Sequence, residues 1–180
     1  LKYCSDCGAH VTHKIPEADD RLRFVCDHCN TIHYQNPKIV VGALAVWEGK
    51  ILLCKRAIEP QYGLWTLPAG FMENGESTLA GAERETFEEA GAKFQDAEIY
   101  RLFDIPYINQ VYIFYRATLV APEYSSGIES LETVLFAEQD IPWDDLAFPV
   151  IHDVLEEYFA DIKKGRFIVR SGLPDYRAKA

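Results

Sequence analysis

Two Cys-x-x-Cys pairs near the start, Cys4/Cys7 and Cys26/Cys29 with 18 residues between them, constrain this chain more than any other feature. A two-residue spacer lets a tight turn aim two sulfurs at one tetrahedral ion. Two such knuckles complete a four-thiolate shell, so the spacing predicts a Zn2+ site. Gly8, directly after Cys7, supplies backbone freedom for the first knuckle. A shell closed by four thiolates leaves no open position for a reacting ligand, so the metal is expected to be structural. The alternatives are two disulfides or thiols without a partner. No basic-then-apolar leader is read at the start, and a fifth cysteine, Cys54, leaves the count odd, so an oxidised framework is not expected. His10, His13, His28 and His33 are read as surface residues, and Cys54, in Ile51-Leu52-Leu53-Cys54, as a small buried hydrophobe. Residues 1–35 are too few to hold a core without the metal, and Asn36-Pro37 is a turn signal at the seam.

The rest of the 180 residues can bury one full-sized core. Residues 38–47 form a near-continuous apolar strand, and Glu48-Gly49-Lys50 turns it into a second strand over 51–55. A loop rich in Pro, Gly and aromatics (59–76) precedes a helix over 77–90. Strand-like runs follow at 98–104, 110–120 and 132–137, and residues 149–164 carry Val150, Ile151, Val154, Leu155, Tyr158, Phe159 and Ile162 at helical spacing. This order predicts an α/β domain, a mixed sheet with helices on its faces, over 36–164. The basic segment 165–180 is read as a C-terminal tail, an arm or partly disordered. No apolar run approaches the roughly 18 residues of a spanning helix, so no membrane partner and a cytoplasmic location are expected. With 18 Lys+Arg against 28 Asp+Glu the net charge is -10, which disfavours nucleic-acid partners. The ribbon segment sets Lys2, Lys14, Arg21 and Arg23 against Asp6, Glu17, Asp19, Asp20 and Asp27, which is no basic patch.

Glu85, Glu88 and Glu89, spaced i, i+3, i+4, project from one face of the first helix, while Leu79, Ala82, Thr86 and Ala90 gather on a neighbouring face that can pack on a sheet. Three carboxylates on one turn repel each other unless divalent cations sit among them, and Mg2+ favours such oxygens together with substrate phosphates. A solvated acidic face is the plain alternative, and Glu83 on the apolar side makes the amphipathic pattern imperfect.

The stretch from Gly70 to Ala92 resembles the Nudix box, G-x5-E-x7-R-E-U-x-E-E-x-G-U with U a bulky aliphatic residue. It matches at Gly70, Glu76, Arg84, Glu85, Glu88, Glu89 and Gly91 and departs at the two packing positions, Thr86 and Ala92. The preceding Gly-Leu-Trp-Thr-Leu-Pro-Ala-Gly (63–70) is similar to the family as well. The resemblance implies a Nudix α/β/α sandwich over about residues 38–160, preceded by a four-cysteine zinc ribbon. It further implies hydrolysis of a nucleoside diphosphate linked to another group. By matching position, Glu85 and Glu89 would be the principal ligands of Mg2+ (or Mn2+), with Glu88 a further one and a carbonyl of Ala69 or Gly70 adding another. Arg84 would hold a box glutamate, and Glu76 would be structural.

A general base must reach the attacking water. Glu89 is one candidate, and Glu132 (or Glu129), on a late loop as in many Nudix enzymes, is the other. Arg56 is a candidate phosphate contact, and Phe103, Tyr107 and Tyr112 are candidates to stack on adenine or isoalloxazine, with core packing the alternative for each ring and for Trp65. The array Ser-Gln-Pro-Trp-Pro-Phe-Pro of NADH pyrophosphatases is missing. Residues 102–113, Tyr-Gln-Asn-Pro-Lys (34–38) and Ile-Glu-Ser-Leu-Glu (128–132) look instead like plastid-type FAD/ADP-ribose pyrophosphatases and their bacterial relatives. A small dinucleotide or nucleotide-sugar substrate, with ADP-ribose or FAD foremost, and a homodimer are therefore expected. The alternatives are NADH or diadenosine polyphosphates as substrate, or a catalytically silent nucleotide sensor.

Overall fold

Backbone geometry at the two knuckles draws the four cysteines together. In the computed structural model, which describes residues 1–175, Gly8 (φ 76°) and Asn30 (φ 62°) both take the left-handed conformation just after the second cysteine of each pair. Their N–H groups donate back to the carbonyls of Cys4 (3.0 Å) and Cys26 (2.9 Å). Between the knuckles, β1 (Val11–Lys14), β2 (Arg23–Cys26) and β3 (Ile32–His33) form an antiparallel sheet in that order. All five cysteines are free thiols, and the sulfurs of Cys4, Cys7, Cys26 and Cys29 lie within 4.8 Å of one another. The Cys4–Cys29 and Cys7–Cys26 pairs are 3.6 and 3.5 Å apart. Sulfurs bound tetrahedrally at the Zn–S length would be about 3.8 Å apart, so the set fits one Zn2+. Such an ion supplies the folding free energy that this small unit cannot draw from a core, on the order of 10 kcal/mol in comparable modules. Chelating the metal is therefore expected to abolish amide-exchange protection over β1–β3 and leave the helical signal of the larger unit in place.

That larger unit begins at Lys38. β4 (Lys38–Trp47) and β5 (Lys50–Arg56) are joined by a tight turn with positive φ at Glu48 and Gly49. β6 (Trp65–Thr66) pairs with β5, and β7 (Ala69–Phe71) pairs with the first half of β4. β8 (Phe94–Ile105) and β9 (Gln110–Leu119) form a long antiparallel ladder, and β10 (Ser130–Phe136) lies against β5. The main path of the sheet runs β10-β5-β4-β9-β8-β11, the last being Arg170–Gly172, with β4 parallel to β9.

Both faces of this sheet are covered, which explains the unbroken apolar run of β4. Ala43 and Ala45 face helix α1 (Thr78–Ala90), together with Val41, Leu52 and Tyr115. Leu44 faces helix α2 (Pro149–Lys164), together with Leu53, Phe103 and Phe114. The arrangement is an α/β/α sandwich with a mixed sheet. Ser77 caps α1 by accepting the Ala80 N–H at 3.1 Å. The two packing positions that depart from the box pattern fit well: Thr86 and Ala92 are buried, and the Thr86 hydroxyl donates to the Ala82 carbonyl at 2.8 Å. Glu83 is exposed, so it costs the packed face nothing.

Two features differ from the sequence reading. Ile162, expected on the apolar face of α2, is exposed, whereas Asp153 and Asp161 are buried. Part of the segment expected as an irregular tail instead forms β11 (Arg170–Gly172), parallel to β8. The physical cause is the same in both places. Arg170 reaches the buried Asp161 through both guanidinium nitrogens, Nη1 to Oδ2 at 2.7 Å, while Tyr100 donates its hydroxyl to Oδ2 at 2.9 Å. A carboxylate so satisfied is tolerated inside, and it fastens the edge strand. The remainder of the tail, 176–180, lies outside the described residues.

Candidate active site

The spacing of the acidic residues on α1 has a definite outcome. Glu85 and Glu89 are buried on the side toward β7, and Glu88, one step round the helix, is exposed. Arg84 keeps this crowd together. Its guanidinium donates to Glu76 (2.8 and 3.1 Å), Glu85 (2.7 Å), Glu88 (2.9 Å) and the Phe71 carbonyl (3.1 Å). It thereby ties the helix to β7 and holds the Glu76 carboxyl down to about 2. The Ala69 N–H donates to Glu89 Oε2 at 3.2 Å. At Gly70 a Cβ would overlap the Glu85 carboxylate, so only glycine lets β7 pass this close.

Burial raises the carboxyls of both Glu85 and Glu89, the latter to about 8, with the Glu85 charge pushing Glu89 the same way. Arg84, meanwhile, is engaged by three other carboxylates and a carbonyl. A divalent cation suits this donor set, because it would offset both the desolvation and the mutual repulsion.

A second chain segment is sewn to the end of α1. The N–H groups of Ser125 and Gly127 donate to the carbonyls of Ala90 (2.8 Å) and Glu89 (3.0 Å), and the Ala57 N–H donates to the Glu129 carbonyl (2.8 Å). A Cβ on Gly127 would overlap the Glu88 carbonyl oxygen, so Gly127→Ala must lift the loop carrying Glu129 off the helix. A displacement of about 1 Å at a reacting group costs on the order of 100-fold in kcat, which is the loss expected for Gly127→Ala in steady-state assays.

These groups open into a cavity of about 920 Å³. Its lining holds a carboxylate set, Ala69, Gly70, Glu85, Glu88, Glu89 and Glu129, and an apolar set, Ile105, Tyr107, Tyr112, Phe148, Val150 and Ile151. Arg56 belongs to the lining, its Nε donating to the Pro60 carbonyl at 2.8 Å and its guanidinium lying 5.2 Å from the centre of the Phe148 ring.

Of the residues singled out from the sequence, Arg56, Ala69, Gly70, Glu85, Glu88, Glu89, Tyr107, Tyr112 and Glu129 are brought to this cavity, with Arg84 supporting them. Phe103 is not. It is fully buried, edge-on to Phe114 and under the Arg101 guanidinium at 4.0 Å, so its faces are taken by the core. Trp65 likewise packs in the core, against Phe136. Glu132 pairs on the surface with Lys55 (2.9 Å), outside the cavity lining. Gly127 and Phe148 were missed. Nothing local marks them, because their roles depend on segments that meet only in the folded chain.

A family model described as NUDIX domain matches residues 36–149, and one for the N-terminal zinc ribbon of Nudix proteins matches residues 2–35. The chain belongs to the Nudix family. A crystal structure of a Nudix hydrolase from Nitrosomonas europaea is 51% identical with a TM-score of 0.93, covering 96% of this chain and 98% of that one. The NAD-capped RNA hydrolase NudC of Haemophilus influenzae (strain PittGG) is 28% identical over 170 residues, which is 86% of this chain. The chain spans 60% of the length of that relative. A bifunctional NMN adenylyltransferase/ADP ribose pyrophosphatase from Francisella tularensis, solved with AMP and a Mn ion, shares the fold at 20% identity and a TM-score of 0.58. In this Nudix domain the box carboxylates, the Glu129 loop, Ile105, Tyr107, Tyr112 and Phe148 come from the part of the chain that the family model covers, whereas Val150 and Ile151 lie just beyond it.

Proposed function

We propose that this Nudix domain hydrolyses, with Mg2+ (or Mn2+), the diphosphate bond of a nucleoside diphosphate linked to a second group, ADP-ribose or FAD foremost, and releases AMP. One observation carries the reading. The lining of a single cavity holds both glutamates suited to divalent cations and phosphate and the rings of Tyr107, Tyr112 and Phe148, on which a planar group can stack. A volume of about 920 Å³ is in the range that encloses a dinucleotide.

Glu85, Glu88 and Glu89 would hold the divalent cations, which when bound would neutralise charge at the diphosphate and make water a better nucleophile. The chain's own groups do the rest. Arg84 fixes the helix face, and Arg56 contributes positive charge to the lining. Glu129 accepts the proton of water as its oxygen bonds to phosphorus. The bridging P–O bond then breaks, and its electron pair leaves on the departing phosphate. Glu129 is favoured over Glu132 as the base because its loop is hydrogen-bonded to the helix that bears the carboxylates.

A second reading has one point in its favour, the NAD-capped RNA hydrolases among the relatives. Against it stand the missing aromatic-proline array and a net charge of -10, which repels a polyanionic chain. Product analysis with Mg2+ across FAD, ADP-ribose, NADH, NAD-capped RNA and diadenosine polyphosphates decides between them. AMP with FMN or ribose 5-phosphate supports the first reading, and a clear preference for NADH or capped RNA overturns it. Among the described residues no helix is long and apolar enough to cross a membrane. We retain a cytoplasmic location and a homodimer as proposals, the second read from mass in solution.

A further inference from the structure

Helix α2 carries three carboxylates on one stripe, Asp153, Glu157 and Asp161, spaced i, i+4, i+8. Asp153 and Asp161 are buried and Glu157 is half-buried, which is costly unless each has a defined partner. All three engage β8 or the segment after α2. Asp161 holds Arg170 of β11, Glu157 pairs with Arg101 of β8 at 3.0 Å, and Asp153 accepts the backbone N–H of Asp175 at 2.7 Å. Asp161 and Asp153 therefore hold the C-terminal segment at two points, Arg170 and Asp175, while Glu157 between them ties α2 to β8, and the second point lies beside the first turn of α2.

That place coincides with the apolar set of the cavity lining. β11 runs parallel to β8 with Gly172 opposite Phe103. Pro174 lies two residues beyond Gly172, as Ile105 lies two beyond Phe103. Asp153 sits one turn after Pro149, Val150 and Ile151. Pro174 is buried and lines the same cavity as Ile105, Val150 and Ile151.

We propose that the C-terminal segment is part of the substrate site: Pro174 forms a wall with the apolar set, and Asp153 is the positioning residue that seats it through the Asp175 N–H. This rests on the proposed function in one respect, that the apolar set holds the group beyond the diphosphate. Pro174 has no group that can take part in breaking the bond, so loss of the wall weakens binding of that group and leaves the bond-breaking step alone.

Asp153→Ala removes the acceptor, Asp153→Asn keeps one, and Pro174→Ala trims the wall without touching the clamp. With ADP-ribose and FAD under Mg2+, Asp153→Ala and Pro174→Ala are expected to raise KM about tenfold, with kcat within about threefold of the parent. Asp153→Asn is expected to stay close to the parent in both. Amide exchange of Asp175, measured without any ligand, should quicken in Asp153→Ala and not in Asp153→Asn. Unchanged KM in both alanine variants, or a fall in kcat with KM unmoved, overturns the proposal. An unchanged Asp175 exchange rate in Asp153→Ala does so too. If the parent hydrolyses neither compound, the functional reading fails, while exchange at Asp175 still tests the clamp. ADP-ribose binding by calorimetry without added Mg2+ or Mn2+ and without chelator, weaker in Pro174→Ala if the proposal holds and equal if it does not, then tests the wall.

Discussion

Glu89→Gln is expected to lower kcat about a thousandfold, with KM changed little, in hydrolysis at saturating Mg2+. The substitution keeps size and hydrogen-bonding ability, so the Ala69 N–H still finds an acceptor. What it removes is the negative charge, and with it the ability to hold a cation at the diphosphate. Cation stabilisation of transition-state charge amounts to several kcal/mol, and each 1.36 kcal/mol is tenfold in rate. Glu89 is the most telling of the three box carboxylates to change. It is buried and outside Arg84's grasp, whereas Glu85 and Glu88 both share that guanidinium, so their loss would also disturb the helix–strand tie. The protein should keep its melting temperature or gain slightly, because burial alone opposes the Glu89 charge. Activity within threefold of the parent would exclude a cation on this face as the source of catalysis.

Arg170→Ala is expected to destabilise the larger unit by about 3 kcal/mol in urea unfolding at neutral pH, since it strands the Asp161 carboxylate inside the protein. Asp161 is 1% exposed, and besides Arg170 its carboxylate has the Tyr100 hydroxyl and a long contact from the Ile168 N–H. The pH dependence identifies the interaction. Arg170 lowers the Asp161 carboxyl from 3.8 to about 2 in the folded protein. A depressed folded value means that the stabilisation is fully present above the unfolded value and is lost as pH falls through the folded one. Without Arg170, burial favours the protonated form of Asp161, so the deficit of the variant should be full where this carboxylate is charged in both proteins and shrink steadily as the pH falls from there toward about 2. A deficit that does not vary with pH would mean that Arg170 acts only through its packing on Tyr100.

Sequence alone went far where chemistry is written in short spacings. The paired knuckles announce four sulfurs converging on one point, because a two-residue spacer allows little else. The i, i+3, i+4 glutamates share a helix face for an equally local reason, and helix periodicity located α2 over 149–164, as observed. The Gly70–Gly91 pattern was specific enough to bring the family into view.

What escaped that reading is non-local. Phe103 looked like a stacking residue, yet in the sheet its register opposite Tyr112 turns it toward α2 and the core. Glu129 and Glu132 could not be told apart on paper. They part because Glu132 joins the β10–β5 ladder beside Lys55, while Glu129 remains on the loop that Gly127 welds to α1. Nothing in the spacing of 149–164 sets Asp153 and Asp161 apart, and their burial follows only when the segment after α2 folds back along it. Local sequence thus determined which residues could bind metal and which stretches could be helix or strand, since those depend on spacing within a turn or two. Only the tertiary structure decided which rings and carboxylates face the cavity, because that is settled by strand register and by hydrogen bonds between segments more than sixty residues apart, such as that from Tyr100 to Asp161, 61 positions on.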